Sequence, residues 1–178
     1  RGYFGGHDSN GWDYANSPLQ TGSTFKIMAL AAALQQGISL DTNYSSAPYQ
    51  LPGSDVVTNV GGGCGVCNLR EATKQSLNTS FLRLQADLKH GTQDTADMAH
   101  ALGVAKSLPG IEKTLTEKGK QPFEGIVLGQ YQSRPLDMAT AMSTLANQGV
   151  WHNPHFVQRV ENAAGEVLYE HPEDGGER

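Results

Sequence analysis

Four stretches of helical period in this 178-residue chain each run up to a glycine: residues 23–36 to Gly37, 81–88 to Gly91, 94–102 to Gly103, and 135–146 to Gly149. Glycine adopts the left-handed backbone that closes a helix at no steric cost, so the chain must fold as several short helices separated by tight turns. In the first stretch Phe25, Met28, Ala29, Ala32 and Ala33 recur at helical spacing and are apolar enough to be buried. Asn68 with Glu71 three residues on forms a capping-box start to a short helix through Ala72 that runs into Ser76. Pro135 suits the first turn of a long helix through Ala146, whose Leu136, Met138, Ala139, Met142 and Leu145 read as core. Residues 48–63 and 104–124 read as irregular or extended. Beyond Gly149 the pattern changes to strands, with 157–161 and 166–169 flanking Asn162-Ala163-Ala164-Gly165 as a hairpin. Residues 2–6 suit the tail of a strand, and 8–17 a polar loop carrying Trp12 and Tyr14. There is no internal repeat.

The length allows one domain or part of one, and 38% hydrophobic with 17% charged residues suits a globular chain. The net charge of −5 and the scattered basic residues provide no patch that would neutralise phosphates, so no nucleic acid partner is expected. No apolar run approaches the roughly eighteen residues needed to cross a bilayer, and residues 1–4 lack the character of a signal peptide. Any membrane anchor is expected outside these residues. The opening Arg-Gly-Tyr-Phe and closing Gly-Gly-Glu-Arg read as the edges of a piece of something longer.

Ser23 and Lys26 stand three apart at the start of the apolar helix, on one face of it. A serine alone is a poor nucleophile. An amine partly withdrawn from water loses its preference for the charged form and can take the hydroxyl proton, while the helix start favours negative charge developing beside it. The spacing by itself is weak, since twelve serines and seven lysines give about half an S-x-x-K match by chance. Gly22 strengthens it by leaving backbone room for a substrate carbonyl to approach the amides. About fifty residues on, Ser76-Leu77-Asn78 offers a hydroxyl that can relay protons and a carboxamide that can hold a peptide backbone. Its bland reading is a helix-ending turn with local side-chain hydrogen bonds.

In this order the motifs resemble the transpeptidase domain of penicillin-binding proteins. The resemblance rests on Gln20-Thr21-Gly22-Ser23-Thr24-Phe25-Lys26, then Ser76-Leu77-Asn78-Thr79-Ser80-Phe81, then Leu128-Gly129-Gln130 leading to Pro135-Leu136-Asp137-Met138-Ala139. Ala146-Asn147-Gln148-Gly149-Val150 and Pro154-His155-Phe156-Val157 extend it, and the whole is most similar to the bifunctional class A members of actinobacteria. It implies an α+β fold, a five-stranded antiparallel sheet beside a helical subdomain with the active site between them. Ser23 would be the acylated nucleophile, with its backbone amide half of the oxyanion hole. Lys26 would be its base, Ser76 the proton relay to the leaving amine, and Asn78 a ligand for the substrate peptide. The implied partners are peptidoglycan stem peptides ending in D-Ala-D-Ala and β-lactam antibiotics. No cofactor or metal is expected, and the implied place is the extracytoplasmic face of a bacterial envelope.

One departure matters: the family's third motif, Lys-Thr-Gly or Lys-Ser-Gly on a sheet strand, occurs nowhere in the sequence, and Lys113-Thr114-Leu115 is not it. Residues 1–178 are therefore expected to be the N-terminal and central part of one domain, completed by the remainder of the sheet as a second chain or segment. Two other enzyme readings, a D,D-carboxypeptidase or a β-lactamase, differ in what takes the acyl group. A third reading is a non-catalytic β-lactam sensor or scaffold that kept the fold. Cys64 and Cys67 form a C-x-x-C that can be a redox pair, half a zinc site or a small disulfide; no second pair completes a zinc site, and an envelope protein favours the disulfide. His152 and His155, with Pro154 between them, read as loop residues rather than metal ligands, and Trp12, Tyr14 and Trp151 as packing.

Overall fold

The computed structural model describes residues 11–172. The strand tail expected at residues 2–6, and the first part of the polar loop, lie outside them. Chain order runs through β1 (Leu19–Gln20), a 3-10 turn (Gly22–Phe25), α1 (Lys26–Gln35), β2 (Asn43–Ser45), β3 (Tyr49–Gln50), β4 (Val56–Val57) and β5 (Val66–Asn68). It continues through α2 (Leu69–Lys74), α3 (Asn78–Ala86), α4 (Thr92–Leu102), a second 3-10 turn (Glu124–Leu128), β6 (Gln132–Ser133), α5 (Pro135–Ala146), β7 (Arg159–Glu161) and β8 (Val167–Glu170).

Helix α1 is the centre of the molecule. Its Ala-, Leu- and Met-rich sequence favours helix, and its small residues let two neighbours approach closely. Ala29, Ala32 and Ala33 pack with Leu77, Phe81, Leu82 and Leu84 around α3, whereas Phe25 and Met28 join Ala96, Ala99 and Leu102 of α4, Ile126 and Ala141. The helix is thus buried on two sides. It ends in a Schellman turn, with Ile38 N donating to Ala33 O (2.9 Å), Gly37 N donating to Leu34 O (3.0 Å), and Gly37 at φ +86°. Helix α4 closes the same way at Gly103, φ +117°. At α5 the expectation needs amending, because the left-handed closing residue is Gln148 at φ +57° and Gly149 follows it. Gly91 does not end α3, which stops at Ala86; it stands directly ahead of α4.

Helix α5 also buries a different face from the one its apolar pattern suggested. Asp137, Thr140, Ala141 and Thr144 point inward, Leu136, Met138 and Met142 are half-buried, and Ala139 and Leu145 are exposed. The polar residues are accommodated because their groups are satisfied. Thr140 Oγ1 donates to Leu136 O, Thr144 Oγ1 reaches Leu102 O and Thr140 O, and Asp137 is gripped by the Arg134 guanidinium at 2.6 Å.

The strands form four antiparallel pairs, β1 with β6, β2 with β5, β3 with β4 and β7 with β8, and none of these sheets exceeds two strands among the described residues. The five-stranded sheet that the resemblance implies is therefore not assembled by them. The expected hairpin is present as β7 and β8, shifted by a residue or two and broken by an irregularity at Val160/Glu161. Residues 104–124 are irregular as expected, yet Thr114 and Leu115 are buried within them. No described helix is long and apolar enough to cross a membrane.

Candidate active site

The site is built where the starts of α1 and α3 meet. Ser23 lies in the 3-10 turn that feeds α1, so the i, i+3 spacing brings its hydroxyl to the Lys26 amine at 3.0 Å. Ser23 is exposed, while Lys26 is only 3% exposed. This pairing leaves the hydroxyl open to a reactant and keeps the amine dry.

Ser76 reaches the same amine from the other side. Helix α2, capped as expected by the Asn68 side chain accepting from Glu71 N at 3.0 Å, ends in a Schellman turn closed by Leu77 N to Ala72 O and Ser76 N to Thr73 O. The left-handed residue of that turn is Ser76 itself, at φ +54°, where glycine is the usual occupant. Such a backbone costs about 1 kcal/mol for an ordinary residue. In that conformation both the Ser76 carbonyl (2.7 Å) and its hydroxyl (3.0 Å) face Lys26 Nζ. Asn78, the first residue of α3, places Oδ1 2.7 Å from Nζ, and its Nδ2 donates to Thr58 O at 3.2 Å, which fixes the amide's orientation.

Lys26 thus has four partners, all neutral, and the Phe81 ring centroid lies 5.9 Å away. Burial lowers its pKa from the ordinary 10.5 to about 8. Its hydrogen bonds can also be met in the neutral form. Ser76 O and Asn78 Oδ1 can only accept, so a neutral amine gives them its two N–H groups and keeps its lone pair for a hydroxyl proton. That lone pair is what a base needs.

The segment before Ser23 is clamped by the Leu128-Gly129-Gln130 stretch. Gly129, at φ +81°, lies so close to Gly22 that any Cβ there would fall inside contact distance of Gly22 N, Cα and O. Gln20 Nε2 donates to Gln130 O at 3.1 Å, and β1 pairs Gln20 with Gln132. The close approach of the two glycines is invisible to any periodicity. Asn59, in a stretch with no periodic signal, bonds to the start of α3 beside Asn78.

Of the residues singled out from sequence, Ser23, Lys26, Ser76 and Asn78 converge. Cys64 and Cys67 are joined as a disulfide with Cα atoms 5.9 Å apart, at the end of the loop that carries Thr58 and Asn59. The histidines go elsewhere: His155 stacks on His171 and reaches Gln158, and no cluster of potential metal ligands occurs among the described residues. Trp12 and Tyr14 are exposed, whereas the Trp151 indole nitrogen is buried over Gly103.

In chemical terms this is a serine–lysine site, a solvent-facing hydroxyl served by a desolvated amine. The chain belongs to the penicillin-binding protein transpeptidase domain family, whose pattern matches residues 6–177. Penicillin-binding protein 1A of Mycolicibacterium smegmatis is 52% identical over 180 residues, covering 99% of this chain and 23% of that protein. The peptidoglycan D,D-transpeptidase PbpA of the same organism is 34% identical over 154 residues, covering 79% of this chain and 31% of that one. Among solved structures, the PonA1 protein from Mycobacterium tuberculosis in complex with penicillin V superposes with a TM-score of 0.88 at 53% identity, covering 94% of this chain and 45% of the other. The fold is accordingly the α+β penicillin-recognising fold. The chain spans under a third of the length of these curated relatives and under half of that solved chain.

Proposed function

We propose that residues 1–178 form the N-terminal and central part of a D,D-transpeptidase domain that acts on peptidoglycan stem peptides. The observation that carries the reading is the single buried amine of Lys26 in reach of Ser23 Oγ, Ser76 Oγ and Asn78 Oδ1 at once. Ser23 Oγ attacks the carbonyl of the penultimate D-alanine and its proton passes to Lys26. The new ester bond forms as the C–N bond to the terminal D-alanine breaks, and Ser76 Oγ relays the proton from Lys26 to the departing amine. An amine of a neighbouring stem peptide then attacks the ester, restores the Ser23 hydroxyl and creates the cross-link. In this proposal Asn78 binds the donor peptide and the backbone amide of Ser23 binds its oxyanion. A β-lactam enters the first step and stays at the acyl stage, because its leaving group remains tethered.

The second oxyanion amide and the group that binds the substrate carboxylate belong, in this proposal, to a Lys-Thr-Gly or Lys-Ser-Gly strand outside residues 1–178, together with the rest of the sheet. The place of action is the extracytoplasmic face of the bacterial envelope, with any anchor also outside these residues. The relatives' names and the penicillin V complex support the reading.

Intact-mass analysis of the full-length protein after incubation with penicillin tests it, with Ser23→Ala as control. A stable adduct on Ser23 that is lost in the variant is expected. A folded wild-type protein that forms no adduct overturns the catalytic reading in favour of the scaffold, and rapid release of hydrolysed penicillin favours the β-lactamase.

A further inference from the structure

Helix α3 begins with a problem that its own sequence does not solve. Its N-cap residue is Leu77, whose side chain cannot accept a hydrogen bond, so the first amides of the helix need a partner from elsewhere. Asn59 supplies it from 20 residues upstream. Its Oδ1 accepts from Thr79 N at 3.0 Å and lies 3.2 Å from Thr79 Oγ1, while its Nδ2 donates to Thr79 Oγ1 and to Ser46 O, both at 2.9 Å. Thr79 is fully buried, so an unpartnered amide there could not turn to water. The adjacent carbonyl, Thr58 O, accepts from Asn78 Nδ2. Two consecutive residues of one loop therefore hold the backbone at Thr79 and the side chain of Asn78, whose other atom rests on the Lys26 amine.

We propose that Asn59 is a positioning residue for acylation: by capping α3 at Thr79 it fixes Asn78 Oδ1 on Lys26 and Asn78 Nδ2 on Thr58, and so sets the geometry of the base. This rests on the acyl-enzyme reading above. The alternative is that Asn59 merely joins the 58–66 loop to the body of the protein. The two differ in what they predict, because a positioning role acts through Asn78 whereas a structural one does not.

The test is the second-order rate of Ser23 acylation by a fluorescent penicillin in the full-length protein, with the thermal midpoint followed in parallel, for wild type, N59A, N59D, N78A and N59A/N78A. N59A is expected to slow acylation about tenfold, the loss that a missing helix cap allows. N59D keeps an acceptor for Thr79 N, with a charge that suits a helix start, but sets a carboxylate oxygen against Ser46 O where Nδ2 donated, so it is expected to recover the rate partway, to about threefold above N59A. In the N78A background the Asn59 change is expected to leave the acylation rate alone while still lowering the thermal midpoint, the non-additivity that marks a path through Asn78. An N59A protein that acylates at the wild-type rate, an N59D protein as slow as an unrescued cap loss, or an N59A effect that persists undiminished in N78A overturns the proposal. N59D remains decisive where N59A does not fold. A wild-type protein that forms no adduct overturns the acyl-enzyme reading itself, and a normal wild-type adduct with any of the other outcomes overturns only the role of Asn59.

Discussion

The burial of Lys26 makes a quantitative demand on the pH dependence of acylation. With the amine's pKa lowered to about 8, roughly one molecule in ten carries a neutral Lys26 at about pH 7; at the ordinary 10.5 the fraction would be about one in three thousand. Desolvation therefore raises the supply of competent base about 300-fold near neutrality. The acylation rate of wild-type protein by a penicillin, corrected for spontaneous hydrolysis, should climb about tenfold per pH unit and level off near pH 8. Stability moves in the same direction. An unfolded lysine holds its proton up to 10.5 and the folded one only up to about 8, so between those values the unfolded state binds more protons and stability rises with pH. Lys26 is 3% exposed, and the shift corresponds to at most about 3 kcal/mol. Lys26→Met removes that dependence. The stability of K26M relative to wild type, from urea unfolding at each pH, should be greatest below about pH 8 and shrink as the pH approaches 10.5. A rate that rises without a break to pH 10.5, with a stability difference flat over the same window, would refute the claim that the amine is poised by burial.

Ser76→Gly and Ser76→Ala both lose the relay hydroxyl, but only the glycine relieves the left-handed backbone at φ +54°, so S76G should be more stable than S76A by about 1 kcal/mol in urea unfolding. Gly129→Ala, at φ +81°, forces a Cβ into the Gly22 backbone and should cost about 2 kcal/mol or more, with acylation of Ser23 slowed at least about tenfold; a normal rate would show that the approach of the two glycines is not needed. Reducing the Cys64–Cys67 disulfide, or replacing both cysteines by serine, should lower stability by about 2 kcal/mol, the loop-closure value for so short a ring, and the thermal midpoint with and without reductant reads it directly.

The helices were legible because each contains enough turns for a 3.6-residue period to show and because a left-handed residue closes several of them. Apart from the β7–β8 hairpin, the strands were not. Pairs such as Tyr49–Gln50 with Val56–Val57 are two residues long, too short for an alternation to register. In helix α5 apolarity does not mark the buried face, because Thr140 and Thr144 satisfy their hydroxyls on Leu136 O, Thr140 O and Leu102 O and can face the interior. Ser23 and Lys26 could be paired from their spacing alone. That Ser76 and Asn78 meet them, 50 and 52 residues from Lys26, follows only from the packing of α1 against α3, and the family resemblance supplied what spacing could not. Asn59 left no trace because a side chain that caps a helix from another loop obeys no local pattern.

The arrangement is organised around the base more than around the nucleophile. Ser23 sits at the surface on a turn, held by backbone contacts, and many turns could present a hydroxyl as well. Lys26 is harder to place, since a buried amine with carbonyl acceptors would ordinarily be drawn towards the charged form. Ser76 O and Asn78 Oδ1 pull that way, and desolvation opposes them. The start of α1 favours negative charge growing on the attacking oxygen and on the carbonyl it strikes. Asn78 at the start of α3 and Ser23 share the one amine, which is why a change at the start of α3 should be felt at Ser23.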